Sequence, residues 1–352
     1  MDAESSKPGE LALLQQIRAR ASGLKKGGLR LGIGDDCALL RVRAGEEMAV
    51  TTDLAIEGRH FRLGWHPAAS VGHRTLARGL SDLAAMGARP VAAFLSLGLP
   101  RGLVANAAKA GLKKGRQAGE KTWLEGFLDG FFALAERCET PLAGGDLAES
   151  PIAMADVVLT GAVARGRAML RSGARPGDQI YVTGTLGGAA RGIATLAEWA
   201  ETAGESDGVL RGRQIPQRLE ALLRPQLFPQ PRVAQGLWLA GRGLATAAID
   251  LSDGLSTDLA HLCEESQVAA EVNAAALPIE PGATLAQALH GGEDYELLFT
   301  APPAAQAPRR IAGVAVTHIG RIVRARKGRA QVTLAGANGM EPLAPKGWEH
   351  FS

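Results

Sequence analysis

Cysteine is scarce in this chain, and the little there is falls in no useful pattern. Cys37, Cys138 and Cys263 form neither a C-x-x-C pair nor an even set among the 352 residues. That argues against a disulfide framework, a thiolate metal site and dithiol redox chemistry. The three read as reduced, small apolar residues. Long hydrophobic runs are missing as well: no stretch reaches the about 18 uncharged apolar residues that a membrane span needs, and the opening MDAESSKPGE has no basic region followed by an apolar one. The expectation is a soluble, cytoplasmic protein with no membrane partner. There is no G-x-x-x-x-G-K-S/T loop and no H-R-D or D-F-G set, so neither a P-loop enzyme nor a protein-kinase fold is expected. Gly184-Thr185-Leu186-Gly187-Gly188 resembles a phosphate loop only loosely, because the G-x-G-x-x-G spacing of a dinucleotide site is lacking.

Basic charge is short everywhere except in one place. The net charge is +3, yet Arg101–Lys121 holds six basic residues against one acid, so without that stretch the balance would be −2. No aromatic residues interleave with those cations, and nucleic acid is not an expected partner. Hydrophobic residues at 46% and charged ones at 21% are ordinary globular values, and the length suits two domains.

What the chain does have is carboxylates beside Gly or Thr, in four clusters: Gly34-Asp35-Asp36, Thr51-Thr52-Asp53, Gly144-Gly145-Asp146 and Asp250-Leu251-Ser252-Asp253-Gly254. A polyphosphate approaches such carboxylates only through bridging divalent cations, so the pattern points to nucleotide and Mg²⁺ chemistry. Around Asp250 an apolar strand delivers Asp250 and Ser252 to one face, and Asp253-Gly254 turns the chain into a helix whose amides can receive an anion. The competing reading is helix capping, with Ser252 or Asp253 as N-cap.

Periodicity predicts helices over 10–22, 71–86, 123–138, 189–199, 232–240 and 255–265. It predicts strands over 48–53, 91–97, 152–163, 179–183, 245–250, 295–301, 314–322 and 329–334. Arg78 and Asp82 lie together at i, i+4. The turn-rich stretch near 147–175 separates two domains, 1–150 and 151–352, and the mixture of long strands and helices without a repeat indicates α+β or mixed α/β layers.

In order along nearly the whole chain, GIGDDCALL (32–40), TTDLAIEGRHF (51–61), LSDLAAMGARP (80–90), AGGD (143–146), RSGARPGD (171–178), YVTGTLG (181–187), AIDLSDGLSTDL (248–259), GGEDYEL (291–297) and GWEHF (347–351) resemble the thiamine-monophosphate kinases. These belong to a superfamily with aminoimidazole ribonucleotide synthetase and selenophosphate synthetase. The resemblance implies a two-domain fold of the aminoimidazole ribonucleotide synthetase type whose N-terminal sheet pairs with its twin in a homodimer. It implies direct transfer of the γ-phosphoryl of ATP to thiamine monophosphate, without a covalent nucleophile and with several Mg²⁺ ions. Asp35, Thr51, Thr52, Asp53, Asp82, Asp146, Asp250 and Asp253 match metal positions; Gly145, Asp146, Arg171 and Ser252 match nucleotide contacts; His60, Glu293 and Trp348 match positions at the thiamine phosphate. Judged alone, His60 is more often a structural histidine and Trp348 a packing residue; for Arg171, which suits bidentate hold of phosphate oxygens, the alternative is surface ion pairing, and for Glu293 and Asp294 it is an ordinary turn acid.

One departure stands out. Gly102–Lys121 intervenes where the family passes quickly into its next helix, and reads as an exposed excursion. Where the family places a nucleotide-contacting aromatic, this chain has Leu128, Asp129 and Gly130 between Phe127 and Phe131. Two alternatives remain: another ATP-dependent synthetase of the superfamily, and a non-catalytic metal-binding assembly module.

Overall fold

The computed structural model describes residues 10–24, 27–104, 121–202, 217–305, 307–328, 330–337 and 339–348. Its first half runs α1 (Glu10–Ala21), β1 (Leu29–Leu31), β2 (Leu39–Leu40), β3 (Glu46–Ile56), α2 (Ala68–Ala85), β4 (Arg89–Leu99), α3 (Arg101–Val104), α4 (Trp123–Arg137), β5 (Leu142–Glu149) and β6 (Met154–Ala164). The second half runs β7 (Gln179–Thr183), α5 (Gly188–Thr202), α6 (Gln217–Leu227), α7 (Val233–Arg242), β8 (Ala247–Asp250), α8 (Leu255–Glu265), β9 (Val268–Asn273), α9 (Leu285–His290), β10 (Leu297–Ala301), β11 (Arg310–Ile311), β12 (Val314–Arg324), β13 (Val332–Gly336) and β14 (Gly339–Pro342).

Strands β3-β6-β4-β5 form one sheet, antiparallel except for the β4–β5 pair. Helices α2 and α4 cover one of its faces. Thr122 starts α4 with a capping box, its hydroxyl accepting from Glu125 N–H at 3.1 Å while Glu125 returns a bond to Thr122 N–H at 2.6 Å. The two helices approach closely because Gly72 faces the Phe127 carbonyl and Gly130 faces the Ala69 carbonyl, positions where any Cβ would collide. Leu76, Leu80, Leu83, Phe127, Phe131 and Leu159 are fully buried there. Such a side chain contributes about 1.5–3 kcal/mol by leaving water.

A second sheet has the order β14-β13-β9-β12-β7-β10-β8, with β11 paired to β12 and with β9–β13 parallel. Its core includes Ile180, Leu259, Leu262 and Leu298. A third apolar cluster joins the halves: Ala84 and Ala85 from the end of α2 meet Leu239 and Ala240 of α7 and Leu297 and Phe299 of β10.

The mixed α/β architecture agrees with the sequence reading, but the cut at residue 150 places β6 on the wrong side of its own sheet, since β6 pairs along its full length with β3. The passage between the sheets lies after Ala164. Helices α6 and α9 and strand β9 were not foreseen: α6 contains Pro225, α9 has six residues, and Val268–Asn273 is half alanine and acid. The basic stretch begins as α3, whose Leu103 is buried in the first core, so its start is not a bare excursion. Residues 105–120 lie outside the described residues. Of the cysteines, Cys138 and Cys263 pack as expected, and burial pushes their thiols up to about 11 and about 12; Cys37 is exposed instead.

Candidate active site

Side chains alternate along a strand, and β3 uses that alternation to divide the Thr51-Thr52-Asp53 cluster. Thr51 and Asp53 face α2, while Thr52 shares the opposite face with exposed Met48, Val50 and Leu54. Against the first pair, α2 presents Arg78, Ser81 and Asp82 from adjacent turns. Arg78 Nε lies 3.3 Å from Asp53 Oδ1, and the Thr51 hydroxyl donates to Asp82. From the second sheet, β8 ends in buried Asp250, whose carboxylate accepts from the Ser81 hydroxyl at 2.7 Å. Carboxylates from both halves of the chain therefore converge on one helix.

Their electrostatics follow from that crowding. Burial lifts Asp53 to about 6 against the pull of Arg78, and Asp82 and Asp156 add repulsion. Burial likewise lifts Asp250 to about 7, with Asp82 and Asp53 adding to it and Ser81 and Arg171 opposing. Asp82 is raised by burial and restrained by Thr51, Arg171 and Arg78. Desolvated carboxylates facing one another are held at a cost that a cation would relieve. Arg171, exposed after β6, is the positive charge felt by both Asp82 and Asp250.

Other expected ligands stand apart. Asp146 is exposed and accepts from its neighbour Leu147 N–H at 2.9 Å; it aligns through Ser96 with Asp156, on the sheet face that also carries Thr52. Gly145 before it has φ 151°, and a Cβ there would strike the Leu95 carbonyl. Asp35 is exposed and accepts from Asp36 N–H at 3.0 Å. Among the described residues, no three Asp, Glu, His or Cys side chains close into a preformed cation cage.

Around Asp253 the capping alternative is not what the structure shows. The N-cap of α8 is Gly254, without a side-chain bond, and Asp258 within the helix accepts from Asp253 N–H and Gly254 N–H at 3.0 Å each. The chain's last described residues lie on this turn: Gly347 N–H donates to Thr257 Oγ1 at 3.0 Å and Trp348 N–H to the Asp253 carbonyl at 3.3 Å, leaving the Trp348 residue 51% exposed. His60 sits in the loop after β3, where its Nδ1 accepts from Ile56 N–H at 3.0 Å.

The three acids of GGEDYEL each have a partner. Glu293 is doubly bound by Arg74, Asp294 accepts from Gly187 N–H at 2.6 Å and Ala189 N–H at 3.1 Å, and Glu296 is paired with Arg232 and accepts from Thr183 at 2.6 Å. Within the Gly184–Gly188 turn the Gly187 amide is thus taken by Asp294, and the Gly184 and Leu186 amides by the Ala315 and Pro278 carbonyls, which argues against that turn as a phosphate cradle. Phe127 and Phe131 are fully buried, so neither offers a ring face to a base; Asp129 pairs instead with Arg20 at 2.7 Å and Lys121 at 2.6 Å.

Sequence reading missed Arg74, Ser81, Asp156 and Gln226. The polar stripe Arg74, Arg78, Ser81, Asp82 on an otherwise apolar helix was a usable signal, at spacings of three and four. Asp156 and Gln226 had none.

Residues 34–166 match the AIR synthase related protein N-terminal domain, and 175–333 the AIR synthase related protein C-terminal domain. The thiamine-monophosphate kinase of Escherichia coli (strain K12) is 38% identical over 360 residues, covering 98% of each chain. The crystal structure of thiamine-monophosphate kinase from Stenotrophomonas maltophilia K279a superposes with a TM-score of 0.74 at 38% identity, over 94% of this chain and 98% of that one. A structure of AaThiL complexed with AMPPCP and TMP superposes with a TM-score of 0.71 at 29% identity, over 100% of this chain and 99% of that one. With both domains matched and full-length identity at this level, the chain belongs to the thiamine-monophosphate kinase family of AIR synthase related proteins.

Proposed function

We propose that this chain transfers the γ-phosphoryl group of ATP to the phosphate of thiamine monophosphate, giving thiamine diphosphate and ADP. The observation that carries the reading is the convergence of Asp53, Asp82 and Asp250 with Arg78 and Arg171 where the two halves meet, in a chain that follows the thiamine-monophosphate kinases from end to end. The neighbour complexed with AMPPCP, an ATP analogue, and TMP supports both substrates.

Divalent cations fit this place. The donors are hard oxygens of the kind Mg²⁺ takes, and their raised carboxyl groups are short of positive charge. Asp53, Asp82, Asp250 and the Thr51 hydroxyl would hold Mg²⁺, with Asp253 beside them; Asp35, in its exposed loop, and Thr52 and Asp146, on the opposite face of the sheet, would serve the polyphosphate from outside this cluster. Bound at these carboxylates, divalent ions would supply charge neutralisation on the transferring group. The chain's own residues supply the rest. Arg171 takes phosphate oxygens, Gly145 lets the backbone approach the nucleotide, and Ser252 holds a position opposite. Arg78 keeps Asp53 oriented. The acceptor oxygen of a phosphate monoester is already anionic near neutral pH, so positioning and charge suffice and no phosphoenzyme forms. His60, Glu293 and Trp348 border the acceptor.

We place the protein in the cytoplasm as a homodimer. Strand β3 is an edge of its sheet, and Met48, Val50 and Leu54 are 43%, 60% and 46% exposed on its open face, a pattern that asks for cover. Among the described residues no helix is long and apolar enough to cross a membrane.

The test is incubation of the purified chain with ATP, Mg²⁺ and thiamine monophosphate. Equal amounts of ADP and thiamine diphosphate are expected; ADP released without thiamine diphosphate would overturn the reading in favour of another reaction of the superfamily.

A further inference from the structure

Arg74 lies in the middle of α2, only 5% exposed, and its Nη2 is 2.6 and 2.7 Å from the two carboxylate oxygens of Glu293. A third bond reaches the same carboxylate from Gln226 Nε2 of α6, at 3.0 Å. Arg74 Nε is buried without a hydrogen-bond partner among the described residues, so the guanidinium is spent on this one carboxylate and not spread over a network. Burial raises the Glu293 carboxyl, and the charges of Arg74 and Arg78, with the Gln226 and Arg74 hydrogen bonds, outweigh it and hold Glu293 below the usual carboxylate range.

The backbone at the same spot is unusual. Glu293 has φ 66° and Tyr295 φ 51°, two non-glycine residues in the left-handed region. Such a residue is strained and persists where its surroundings over-determine it. Here Glu293 N–H donates to the Ser252 carbonyl at 2.7 Å and Tyr295 N–H to the Leu251 carbonyl at 2.9 Å, which fastens the loop to the turn after Asp250. Glu293 is nevertheless not sealed in: its side chain is 28% exposed, against 6% for Arg74. A buried cation behind a carboxylate that reaches the surface is the arrangement of a holder and a held group.

We infer that Arg74, backed by Gln226, is a positioning residue that fixes the Glu293 carboxylate at the acceptor side of the site and keeps it in register with Arg78 and Asp82 on the same helix. This rests on the proposal that Glu293 borders thiamine monophosphate. It differs from an interdomain tie in one respect: its loss should be felt in one substrate through one residue.

The experiment is a double-mutant cycle on the purified full chain with ATP, Mg²⁺ and thiamine monophosphate. Arg74→Met is expected to raise the KM for thiamine monophosphate about tenfold or more while leaving the KM for ATP within about twofold, with Arg74→Lys restoring most of the loss. In a Glu293→Gln background, Arg74→Met should add less than about twofold, because both changes remove the same placement. If Arg74→Met does not fold, Gln226→Met removes one of the three bonds and should shift the same KM about threefold. An equal rise in both KM values, or factors that multiply in the double variant, would overturn the inference. A Glu293→Gln chain with unchanged KM for thiamine monophosphate would instead overturn the placement of Glu293 itself, and the inference with it.

Discussion

Arg78 Nε lies 3.3 Å from Asp53 Oδ1, so α2 and β3 meet through opposite charges at the point where Asp53 also feels Asp82 and, from the other face of the sheet, Asp156. One cation among several carboxylates does not balance them. Burial leaves Asp53 raised to about 6 even with Arg78 beside it, and a group held in that condition serves something other than stability.

Replacing Asp53 with Asn separates the two roles. The change keeps the volume and deletes a charge, so kcat should fall by at least about 10²-fold, as for loss of one strong electrostatic contact in a transition state. The melting temperature should hold or rise, because a desolvated carboxylate repelled by Asp82 and Asp156 is removed. Steady-state kinetics at saturating Mg²⁺ with calorimetry on the same sample check both; activity within threefold of the parent would show that Asp53 does not serve the transfer.

Trp348 is half exposed above the first turn of α8, where its own N–H holds the Asp253 carbonyl. Trp348→Ala should raise the KM for thiamine monophosphate more than the KM for ATP, since an indole face suits a cationic thiazolium. Equal effects on both substrates would assign the ring to packing.

The open face of β3 predicts the assembly. Light scattering at micromolar concentration should give twice the 36.6 kDa of one chain. Val50→Glu, which places a charge among Met48, Val50 and Leu54, should give the single-chain mass. A parent that scatters as one chain contradicts the assignment.

Acid stability carries a signature of two histidines. Burial lowers His66 to about 3 and His73 to about 4, and Arg74 adds repulsion at both, as do Arg137 and Arg224 at His73. Folded values below the ordinary 6.5 mean that stability from the neutral rings is complete above pH 6.5 and is lost as pH falls toward 4. Each ring gives up about 2 kcal/mol by pH 5. The raised carboxyls Asp53, Asp250, Asp258 and Asp294 act in the opposite sense, so the parent's net slope is a contest and the variant isolates the histidine. His73→Gln can still donate to the Pro229 carbonyl, which His73 Nε2 reaches at 2.7 Å. Denaturant unfolding at pH 7.5 and pH 5 should show the variant losing about 2 kcal/mol less than the parent; an equal loss would mean that His73 titrates as it does in the unfolded chain.

The basic stretch should be dispensable from residue 105, and not from Gly102, because Leu103 is buried. A short Gly/Ser turn replacing 105–120 should leave the melting temperature and the dimer unchanged. A tenfold rise in the KM for ATP with the fold intact would mean that Lys113, Lys114 or Arg116 reaches the phosphates.

The elements that sequence made legible are those whose pattern is local. Helices α2, α4 and α8 follow from apolar spacing, and β3, β7, β10 and β12 from apolar strands with turn residues at their ends. The acidic clusters were legible because carboxylates recur beside Gly or Thr at four places, two of them closing apolar runs at Asp53 and Asp250. The partition between sheets was not legible, because β6 pairs with a strand nearly a hundred residues earlier. Nor was the splitting of Thr51 from Thr52, which depends on which face α2 covers. Arg74 and Gln226 matter through a loop more than sixty residues downstream of the nearer one, a relationship that only the packed molecule contains.

Helix α2 has fourteen buried residues out of eighteen. Its walls are the first sheet, α4 and, across Ala84 and Gly236, the second half's α7. The two matched domains are therefore not interchangeable pieces. A chimera joining the first half of one relative to the second half of another would set an α2 shaped for one α7 against a different one, with no room at Gly236 for a side chain. Exchange between lineages would have to carry α2, α7 and the 291–297 loop together, so inheritance in this chain should follow the helix and not the boundary.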